Sequence, residues 1–489
     1  MSYFHRTRTF DPPIWREFPA LMAIAARPQF AMGGNLWSLR VPTHAWTFDG
    51  TTWTQRGAFK GGYAYNLWQA GNAIYAVTYG TRAIVTYSEA SNPLTFAALC
   101  TQAGSGATGY FLRDIPAATG SRQAVFFVVS GTFSAAGIIS EAANQITATA
   151  VTNASWWFLE KSTDGVADFM PKRDVYRSTL QNNFCDCGVI ANLGGAGVNQ
   201  RLLLHCEYNN TGELPSLLYN IPDVNDVWTA LFTVDAGAIS HFHGMVFCPG
   251  VGGGAGRLHV FTGDFDAAVS ILTCDDVVHL KNNGATWKTR WAFDLADAAR
   301  IAYLTTGAGA PYCAGAGSQS FRTVEAVPDA ATNAANLYYL PDATSGPAYG
   351  QLHRIVTATN VAAALGTKKW KGTGWHGVRT AGGNIVITTR SEMLTDLTAY
   401  AANNDDSLHI FTLKASGAEL GESGKYPRRD AALPPGSRGG YYGALRVCEF
   451  DGKVWMDAAG DSLDSTTRTM VGELLATVTG ASGVIGTII

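Results

Sequence analysis

Short apolar runs recur along the whole chain and are separated by glycine-rich intervals. Runs of this length that are rich in β-branched and aromatic residues and bounded by turn residues predict β-strands. The clearest strands are predicted at Asn35–Arg40, Asn72–Thr78, Ala124–Ser130, Arg201–Glu207, His241–Cys248, Arg257–Thr262, Leu337–Leu340, Asn384–Thr389 and Lys453–Asp457. The pattern therefore predicts an all-β chain.

Many of these runs are apolar throughout instead of alternating, and Ala124–Val129 is the clearest example. A strand that is apolar on both sides needs cover on both faces of its sheet. Crossover helices provide such cover in parallel α/β folds, but the intervals here are too short and too glycine-rich for them. Neighbouring blades provide it in a β-propeller. We therefore expect a single β-propeller.

Turn signals agree with many short antiparallel strands. Asp49-Gly50 and Asp451-Gly452 each lie between aromatic strand-like runs, and this dipeptide is a strong signal for a two-residue hairpin. Helix is expected to be minor. Val361–Leu365 is predicted as one short helix, because it lies between a candidate asparagine N-cap and a glycine C-cap.

The length of the chain sets the size of the expected propeller, and its composition supports packed strands. The chain has 489 residues, of which 54 are glycine, and only 15% are charged against 47% hydrophobic. Such a composition favours tight turns between packed strands over disordered segments. We expect an N-terminal arm at residues 1–28, six or seven blades over residues 29–480, and an apolar C-terminal tail at residues 481–489.

Charge and cysteine content argue against several classes of function. A formal net charge of −3 gives no electrostatic signature of nucleic-acid binding. The eight cysteines include no CxxC pair and no zinc-ligand spacing. We therefore expect the cysteines to be buried as small hydrophobic residues, and we expect no metal, cofactor or disulfide. No apolar stretch approaches the 18 residues of a membrane span, and no secretory signal is present at the N-terminus.

One phrase resembles a known family. Residues 280–287 read Leu-Lys-Asn-Asn-Gly-Ala-Thr-Trp, which is similar to the Asp-box, Ser-x-Asp-x-Gly-x-Thr-Trp, of the sialidase-like (BNR repeat) propellers. Gly284, Thr286 and Trp287 match the pattern, Asn282 stands for the aspartate, and Leu280 replaces the serine.

A second copy of the box retains less of the pattern. It keeps Ser162, Asp164 and the aromatic Phe169 but lacks the glycine at its usual place. An Asp-box is a turn device, in which the acidic or amide side chain accepts backbone N–H groups while the aromatic residue packs between sheets. The resemblance therefore implies a fold and not a chemistry.

Sialidase-like catalysis would need an arginine cluster for a substrate carboxylate, a tyrosine paired with a glutamate, and an aspartic acid. The family's first arginine lies in a Phe/Tyr-Arg-Ile-Pro phrase. The nearest match here is Phe111-Leu-Arg113-Asp114-Ile115-Pro116, where Asp114 is inserted between the arginine and Ile-Pro. One extra residue on a strand turns Arg113 to the other face. We therefore assign no catalytic residues.

His241 and His243 share one face of a predicted strand, and Asp264 ends the next one. Together they form a candidate polar site for a metal or for acid–base chemistry. The alternative, which we favour, is that the three side chains hydrogen-bond loops at one end of a blade.

The two ends of the chain suggest assembly. A polar, aromatic segment at Ser2–Phe18 contrasts with Val471–Ile489, which contains one charged residue. An exposed β-prone tail invites pairing, so it either docks on a neighbouring subunit or closes the last blade on the first. Sialidase-like propellers without catalytic residues resemble bacteriophage tail and nozzle proteins.

We therefore expect a non-enzymatic structural or receptor-contacting protein of a virion, assembled in the host cytoplasm. Its expected partners are neighbouring virion subunits in a homo-oligomeric ring, and a host surface glycan or receptor. A sialidase-like glycoside hydrolase, or a glycan-binding propeller, is the alternative.

Overall fold

The computed structural model describes much of the first 175 residues and many separate strands beyond them. The described ranges are 15–17, 26–40, 43–115, 121–175, 189–192, 201–207, 216–220, 227–233, 241–249, 256–263, 271–274, 321–329, 334–341, 352–356, 361–365, 373–379, 384–391, 408–413, 420–426, 442–443, 447–457, 459–460 and 469–473. All the regular structure in these ranges is β-strand, which confirms the predicted all-β class.

The first 13 strands occupy the N-terminal third of the chain. They are β1 (Trp15–Glu17), β2 (Ala26–Met32), β3 (Asn35–Arg40), β4 (His44–Phe48), β5 (Trp53–Ala58), β6 (Tyr63–Ala70), β7 (Ala73–Tyr87), β8 (Leu99–Gln102), β9 (Thr108–Ile115), β10 (Arg122–Ser130), β11 (Ile138–Glu141), β12 (Asn144–Ser162) and β13 (Met170–Val175).

Twenty further strands are described after Val175. They are β14 (Val189–Asn192), β15 (Arg201–Cys206), β16 (Ser216–Asn220), β17 (Thr229–Thr233), β18 (His241–Pro249), β19 (Gly256–Gly263), β20 (Ile271–Cys274), β21 (Phe321–Asp329), β22 (Ala334–Pro341), β23 (Leu352–Val356), β24 (Val361–Leu365), β25 (Thr373–Arg379), β26 (Ile385–Ser391), β27 (Leu408–Leu413), β28 (Leu420–Tyr426), β29 (Tyr442–Gly443), β30 (Val447–Phe450), β31 (Lys453–Asp457), β32 (Ala459–Gly460) and β33 (Thr469–Glu473).

The described strands form seven sheets, and consecutive strands are usually neighbours. The sheet orders are β2-β3-β4-β5, β14-β15-β16-β17, β18-β19-β20, β21-β22-β23-β24, β28-β27-β26-β29-β32 with β25 beside β26, β1-β33-β31-β30, and one eight-stranded sheet that contains β6 to β13. Four of the seven are four-stranded. The neighbouring strands whose pairing the structure describes are antiparallel, as short meanders require.

Each of the nine predicted strands lies, to within one residue, inside a strand of the structure, so these predictions are confirmed, although β7 and β22 extend well beyond the predicted residues. The predicted helix at Val361–Leu365 is wrong. This segment is strand β24, which pairs along its full length with β23, so that Val361 lies opposite Val356. Asparagine and glycine cap helices but also favour turns, and the cross-strand pairing with β23 decides between the two here.

The two Asp-Gly turns differ in length. Asp451 and Gly452 both have positive φ, and Phe450 pairs directly with Lys453, so this is the predicted two-residue hairpin. The other turn is longer than predicted, because Phe48 pairs with Trp53 and leaves residues 49–52 in the loop. Asp49 Oδ1 accepts the backbone N–H groups of the third and fourth loop residues at 2.8 and 2.7 Å, which stabilises the four-residue form.

The eight-stranded sheet divides into two parts that share two long strands, β7 and β12. The first half of β7 pairs with β6, and the second half of β12 pairs with β13, which makes a four-stranded sheet β6-β7-β12-β13. Beyond it, β7 and β12 continue side by side, and the order β7-β10-β9-β8-β11-β12 returns to β7. Described residues between 81 and 155 thus form a closed six-stranded barrel, and we call the four-stranded part its base.

The barrel interior is a continuous apolar core. Its aromatic centre is Phe126, whose ring lies 5.1 Å from that of Phe133 and 5.7 Å from that of Phe111. The buried residues of this core are Ala83, Val85, Tyr87, Leu94, Cys100, Ala107, Phe111, Ala124, Phe126, Val128, Phe133, Ile139, Ile146 and Ala148. Closing the sheet allows a small insertion to bury its own core and removes exposed strand edges.

The barrel explains why Ala124–Val129 is apolar on both sides. In β10, Phe126 lies in the barrel core, whereas Val125 and Phe127 pack outside it against Leu112 and Phe158. The prediction that both faces are covered is confirmed for Ala124–Val128, whereas Val129 is 48% exposed. The expected source of the cover is wrong, since the barrel interior covers one face and its junction with the base covers the other.

The chain divides into two compact units. One contains residues 35–260 and 273–292, which include the barrel and its base; the other contains residues 1–34, 261–272 and 293–489. Within the second unit, β1 pairs antiparallel with β33, so that Trp15 lies opposite Gly472. A strand from the predicted N-terminal arm therefore shares a sheet with the start of the apolar C-terminal segment, whereas residues 474–489 lie outside the described ranges.

Candidate functional site

Three arginines converge on one buried carboxylate where the barrel meets its base. Arg113 of β9 donates two hydrogen bonds to Asp174 of β13, from Nε to Oδ1 at 2.6 Å and from Nη2 to Oδ2 at 2.9 Å. Arg82 of β7 donates from Nη1 to Oδ2 at 3.3 Å. Arg173 Nε lies 4.0 Å from Oδ1. We call these four residues the arginine cluster.

The arginine cluster is shielded from solvent. The side chain of Asp174 is 2% exposed and that of Arg82 is 10% exposed. The guanidinium carbon of Arg82 lies 3.3 Å from the ring centre of Trp156, and Arg173 Nη1 donates to the carbonyl of Trp228 at 3.1 Å. Guanidinium groups suit such sites because their planar fork pairs with carboxylates and stacks on aromatic rings.

The arginines determine the charge state of Asp174. Burial by itself raises the pKa of this carboxyl group, but the charge and hydrogen bonds of Arg113, and then the charges of Arg173 and Arg82, outweigh burial and hold the pKa at about 2. Asp174 is therefore ionised throughout the neutral range. An ionised carboxylate that holds a bidentate arginine cannot serve as a general acid near neutral pH.

A second buried carboxylate, Glu160 of β12, lies in the base. Its side chain is fully buried and accepts hydrogen bonds from Lys60 N at 2.9 Å, Gly61 N at 2.7 Å and Thr78 Oγ1 at 2.7 Å. Burial raises its pKa to about 7, against the opposing effect of the three hydrogen bonds. A pKa near neutrality suits a general acid or base, but all three partners belong to the protein's own loop and strand.

Lys60 links Glu160 to the protein surface. Its ammonium group forms a salt bridge with Asp168 at 3.0 Å, while its backbone N–H binds Glu160. Asp168 also accepts the backbone N–H of Ala58 at 3.1 Å. These contacts fix the loop between β5 and β6 against the turn that follows β12, so Glu160 and Asp168 act here as anchors of the loop.

The turn at Ser162–Phe169, the second predicted Asp-box, has its polar side chains folded onto the backbone. Asp164 Oδ1 accepts the N–H groups of Val166 at 2.8 Å and Ala167 at 2.9 Å. Ser162 Oγ accepts from Gly165 N at 2.9 Å and donates to the carbonyl of Ala167 at 2.6 Å. These are hydrogen bonds that stabilise a turn.

The aromatic residue of this turn is buried. Phe169 is fully buried, and its ring centre lies 4.7 Å from that of Phe59. The carboxylate of Asp164 thus serves turn formation, and the ring of Phe169 serves packing.

The remaining predicted site residues are not brought together by the described structure. Asn282, Gly284, Thr286 and Trp287 of the first Asp-box, and Asp264 of the candidate polar site, lie outside the described ranges. His241 and His243 lie in β18, as predicted, but their side chains are outside what is described. Within the described ranges, no group of three or more His, Cys, Asp or Glu could hold a metal ion.

Arg113 is the one residue of the arginine cluster to which the sequence drew attention, through its resemblance to the family's first arginine phrase. Its partner Asp174 is 61 residues away, and Arg82 is 92 residues from Asp174. A local pattern cannot reveal contacts at that separation. The apolar run in β10 is indirect evidence, because it indicates that other parts of the chain cover both faces of the strand beside Arg113.

Comparisons with known proteins leave the family open. No protein-family model matches the chain, and no curated protein matches it. Among solved structures, a GH74 enzyme of Niastella koreensis is 12% identical, with a TM-score of 0.42, over 91% of this chain and 54% of the enzyme. Sqt1 of Saccharomyces cerevisiae is 9% identical, with a TM-score of 0.41, over 95% of this chain and all of Sqt1.

Likenesses at this level carry no argument about function, and the all-β class rests on the chain's own sheets. In the part of the chain that the structure describes, no helix is long and apolar enough to cross a membrane.

Proposed function

We propose that the chain is a non-enzymatic structural or receptor-contacting protein built on a sialidase-like β-propeller. The observation that carries the proposal is the arginine cluster. A sialidase-like enzyme needs arginines that receive a substrate carboxylate, and here Arg113, Arg82 and Arg173 surround the chain's own Asp174. Their pairing joins barrel strand β9 to base strand β13, which is a structural role.

The propeller has seven blades in this proposal. Support comes from the seven described sheets. Four of them are four-stranded, and four consist wholly of strands that follow one another along the chain in order. Further support comes from the pairing of β1 with β33, since propellers commonly close their ring by placing strands from both ends of the chain in one blade. The barrel is then an insertion between two strands of one blade.

A more specific role, as a subunit of a bacteriophage-like virion, is also a proposal. It is supported by the resemblance of the Asp-box phrases to propellers of this kind. In this role the chain assembles with further copies into a ring and contacts a host receptor or surface glycan. Electron microscopy of the native assembly tests it directly: a ring of copies attached to a particle is expected, and a solitary monomer in the native source contradicts it.

The non-enzymatic role is tested by incubating the purified chain with a fluorogenic sialoside beside an active sialidase as the positive control. We expect release of fluorophore no faster than in buffer. Turnover by the wild type that disappears in Arg113→Ala contradicts the proposal and favours a sialidase-like hydrolase. Circular dichroism of the variant, with an unchanged β-sheet spectrum, excludes simple unfolding as the cause.

A further inference from the structure

Five polar, uncharged side chains form a continuous row across the outside of the barrel. The strand register places Ser130 opposite Thr108, Thr108 opposite Thr101, Thr101 opposite Ser140, and Ser140 opposite Gln145. The row therefore crosses the neighbouring strands β10, β9, β8, β11 and β12. We call these five residues the hydroxyl row.

The hydroxyl row faces outward. In β8, Thr101 is exposed between the buried Cys100 and Gln102, and in β11, Ile139 opposite Gln102 is fully buried inside. Ser130 and Gln145 are exposed as well, and Thr108 and Ser140 are half-buried. Neighbouring strands lie about 4.8 Å apart. The row follows the curved outside of the closed barrel, and its end strands β10 and β12 are both neighbours of β7. The part of the row that one ligand can span is therefore Thr101, Ser140 and Gln145, on the adjacent strands β8, β11 and β12.

The groups that flank the row are apolar or already paired. Leu99 is 50% exposed and Ile138 is 43% exposed on the same outer face. Glu141, the one charged residue of β8 and β11, accepts a hydrogen bond from Thr95 N at 2.7 Å. Glu89, beside β12, accepts the N–H of Thr147 at 2.9 Å. Besides these two hydrogen-bonded carboxylates, the surface offers hydroxyls, one amide and aliphatic side chains.

This composition limits the partner. A closed barrel has no free strand edge, so an added β-strand is not accommodated along the row. The charged groups beside the row, Glu141 and Glu89, are carboxylates, which repel phosphates, sulfates and other carboxylates. Each hydroxyl both donates and accepts hydrogen bonds, which matches a ligand whose own groups are hydroxyls at regular spacing. Exposed aliphatic side chains suit the apolar faces of sugar rings.

We propose that the hydroxyl row binds a neutral carbohydrate chain. The inference rests on the receptor-contacting role proposed above and names the chemical class of the receptor. The carbohydrate lies across the strands, its hydroxyls exchange hydrogen bonds with Thr101, Ser140 and Gln145, and Leu99 and Ile138 contact its ring faces. Thr108 and Ser130 lie further round the barrel and hydrogen-bond to each other, with their hydroxyl oxygens 2.8 Å apart.

Affinity electrophoresis tests the proposal with the full chain in native gels that contain dextran, mannan, galactan or xylan, and in gels that contain the acidic polymer alginate. We expect retardation by at least one neutral polymer and none by alginate. Thr101→Val combined with Ser140→Ala removes two hydroxyls while it conserves shape, and we expect about a tenfold or greater loss of affinity, since each hydrogen bond contributes about 0.5–1.5 kcal/mol.

Thr152→Val is the matched control, because Thr152 is an exposed threonine of β12 that pairs with β7, away from the row. It should bind as the wild type does. The proposal is overturned if no neutral polymer retards the wild type, if alginate alone does, or if the double variant binds unchanged. It is also overturned if the double variant changes the oligomeric mass instead, which would assign the row to contact between copies.

None of these outcomes alters the sialoside test. The failure of carbohydrate binding at the barrel is therefore distinguishable from the failure of the non-enzymatic role.

Discussion

Arg113 and Asp174 form a bidentate ion pair that joins the barrel to its base, with N–O distances of 2.6 and 2.9 Å. The carboxylate is almost completely buried, and two further arginines lie on its other sides. Removing one partner of a buried pair leaves the other uncompensated, which costs about 3–5 kcal/mol. The pair therefore determines whether β9 stays packed on β13.

We predict that Asp174→Ala lowers the free energy of unfolding by about 3–5 kcal/mol, because three guanidinium groups lose their buried counter-ion. Chemical denaturation measures the loss. Lys60→Ala is the control: it removes the salt bridge with Asp168, whose side chain is 54% exposed, and such pairs contribute about 0–1 kcal/mol. Equal effects of the two variants would contradict the structural role of the arginine cluster.

The same carboxylate predicts a loss of stability in acid. The pKa of Asp174 is about 2 in the folded chain against an ordinary value of 3.8, so the unfolded chain binds this proton more tightly. Its contribution is complete above pH 4 and is lost as the pH falls towards 2. Melting temperatures between pH 5 and pH 2 should fall less steeply in Arg113→Ala than in the wild type. Parallel curves would show that Arg113 does not hold the pKa low.

Glu160 predicts that stability declines as the pH rises through neutrality, which is the opposite of the pH dependence predicted for Asp174. Its folded pKa of about 7 lies above the ordinary 4.5, so the folded chain binds this proton more tightly than the unfolded chain does. Its contribution to stability is therefore largest below pH 4.5 and declines as the pH rises through 7. Glu160→Gln should remove this decline in melting temperature, whereas Asp168→Asn, at an exposed carboxylate, should retain it. A decline that persists in Glu160→Gln would refute the assignment.

The packed junction of base and barrel needs a glycine in β7, at position 80. A Cβ atom on Gly80 would lie 2.8 Å from the Phe127 ring and 3.4 Å from that of Phe158, inside the packed junction. We predict that Gly80→Ala costs about 1–3 kcal/mol of stability through overpacking. Gly62→Ala serves as the control, since nothing lies within 4 Å of a Cβ atom there. Thermal melts of the two variants should differ, and equal melts would indicate that the junction has room.

The pairing of β1 with β33 predicts that removing the N-terminal residues destabilises the chain. Removing residues 1–17 deletes β1 and leaves the N–H and C=O groups of β33 on that side unpaired. An unpaired edge promotes aggregation, so this variant should melt earlier and scatter more light than the wild type. Removing residues 1–13 spares β1 and is the matched control. If both truncations behave as the full chain does, β1 does not close its sheet.

Sequence reasoning was strongest for local structure. Apolar runs such as Asn35–Arg40 predicted strands because the alternatives, helices and loops, need different spacing and composition. Gly452 and Asp451 predicted their turn because few residues adopt positive φ. The turn after Phe48 was predicted too short, since the side chain of Asp49 stabilises a longer loop that its dipeptide does not reveal.

The barrel and the arginine cluster were not predictable in the same way. The sequences of β7 and β12 do not show that each strand belongs to both the base and the barrel, because this depends on pairings between residues as distant as Ile74 and Ser162. Arg113 could be located by its resemblance to a family phrase, and in the structure its side chain reaches Asp174. No local signal identifies Asp174 as its partner.

A calorimetric titration of the purified chain with free sialic acid at neutral pH tests whether the arginine cluster accepts an external carboxylate. Because Asp174 already occupies the arginines, we expect no heat of binding. Binding by the wild type that is abolished in Arg113→Ala would contradict this expectation, since it would show that the arginine cluster accepts an external carboxylate.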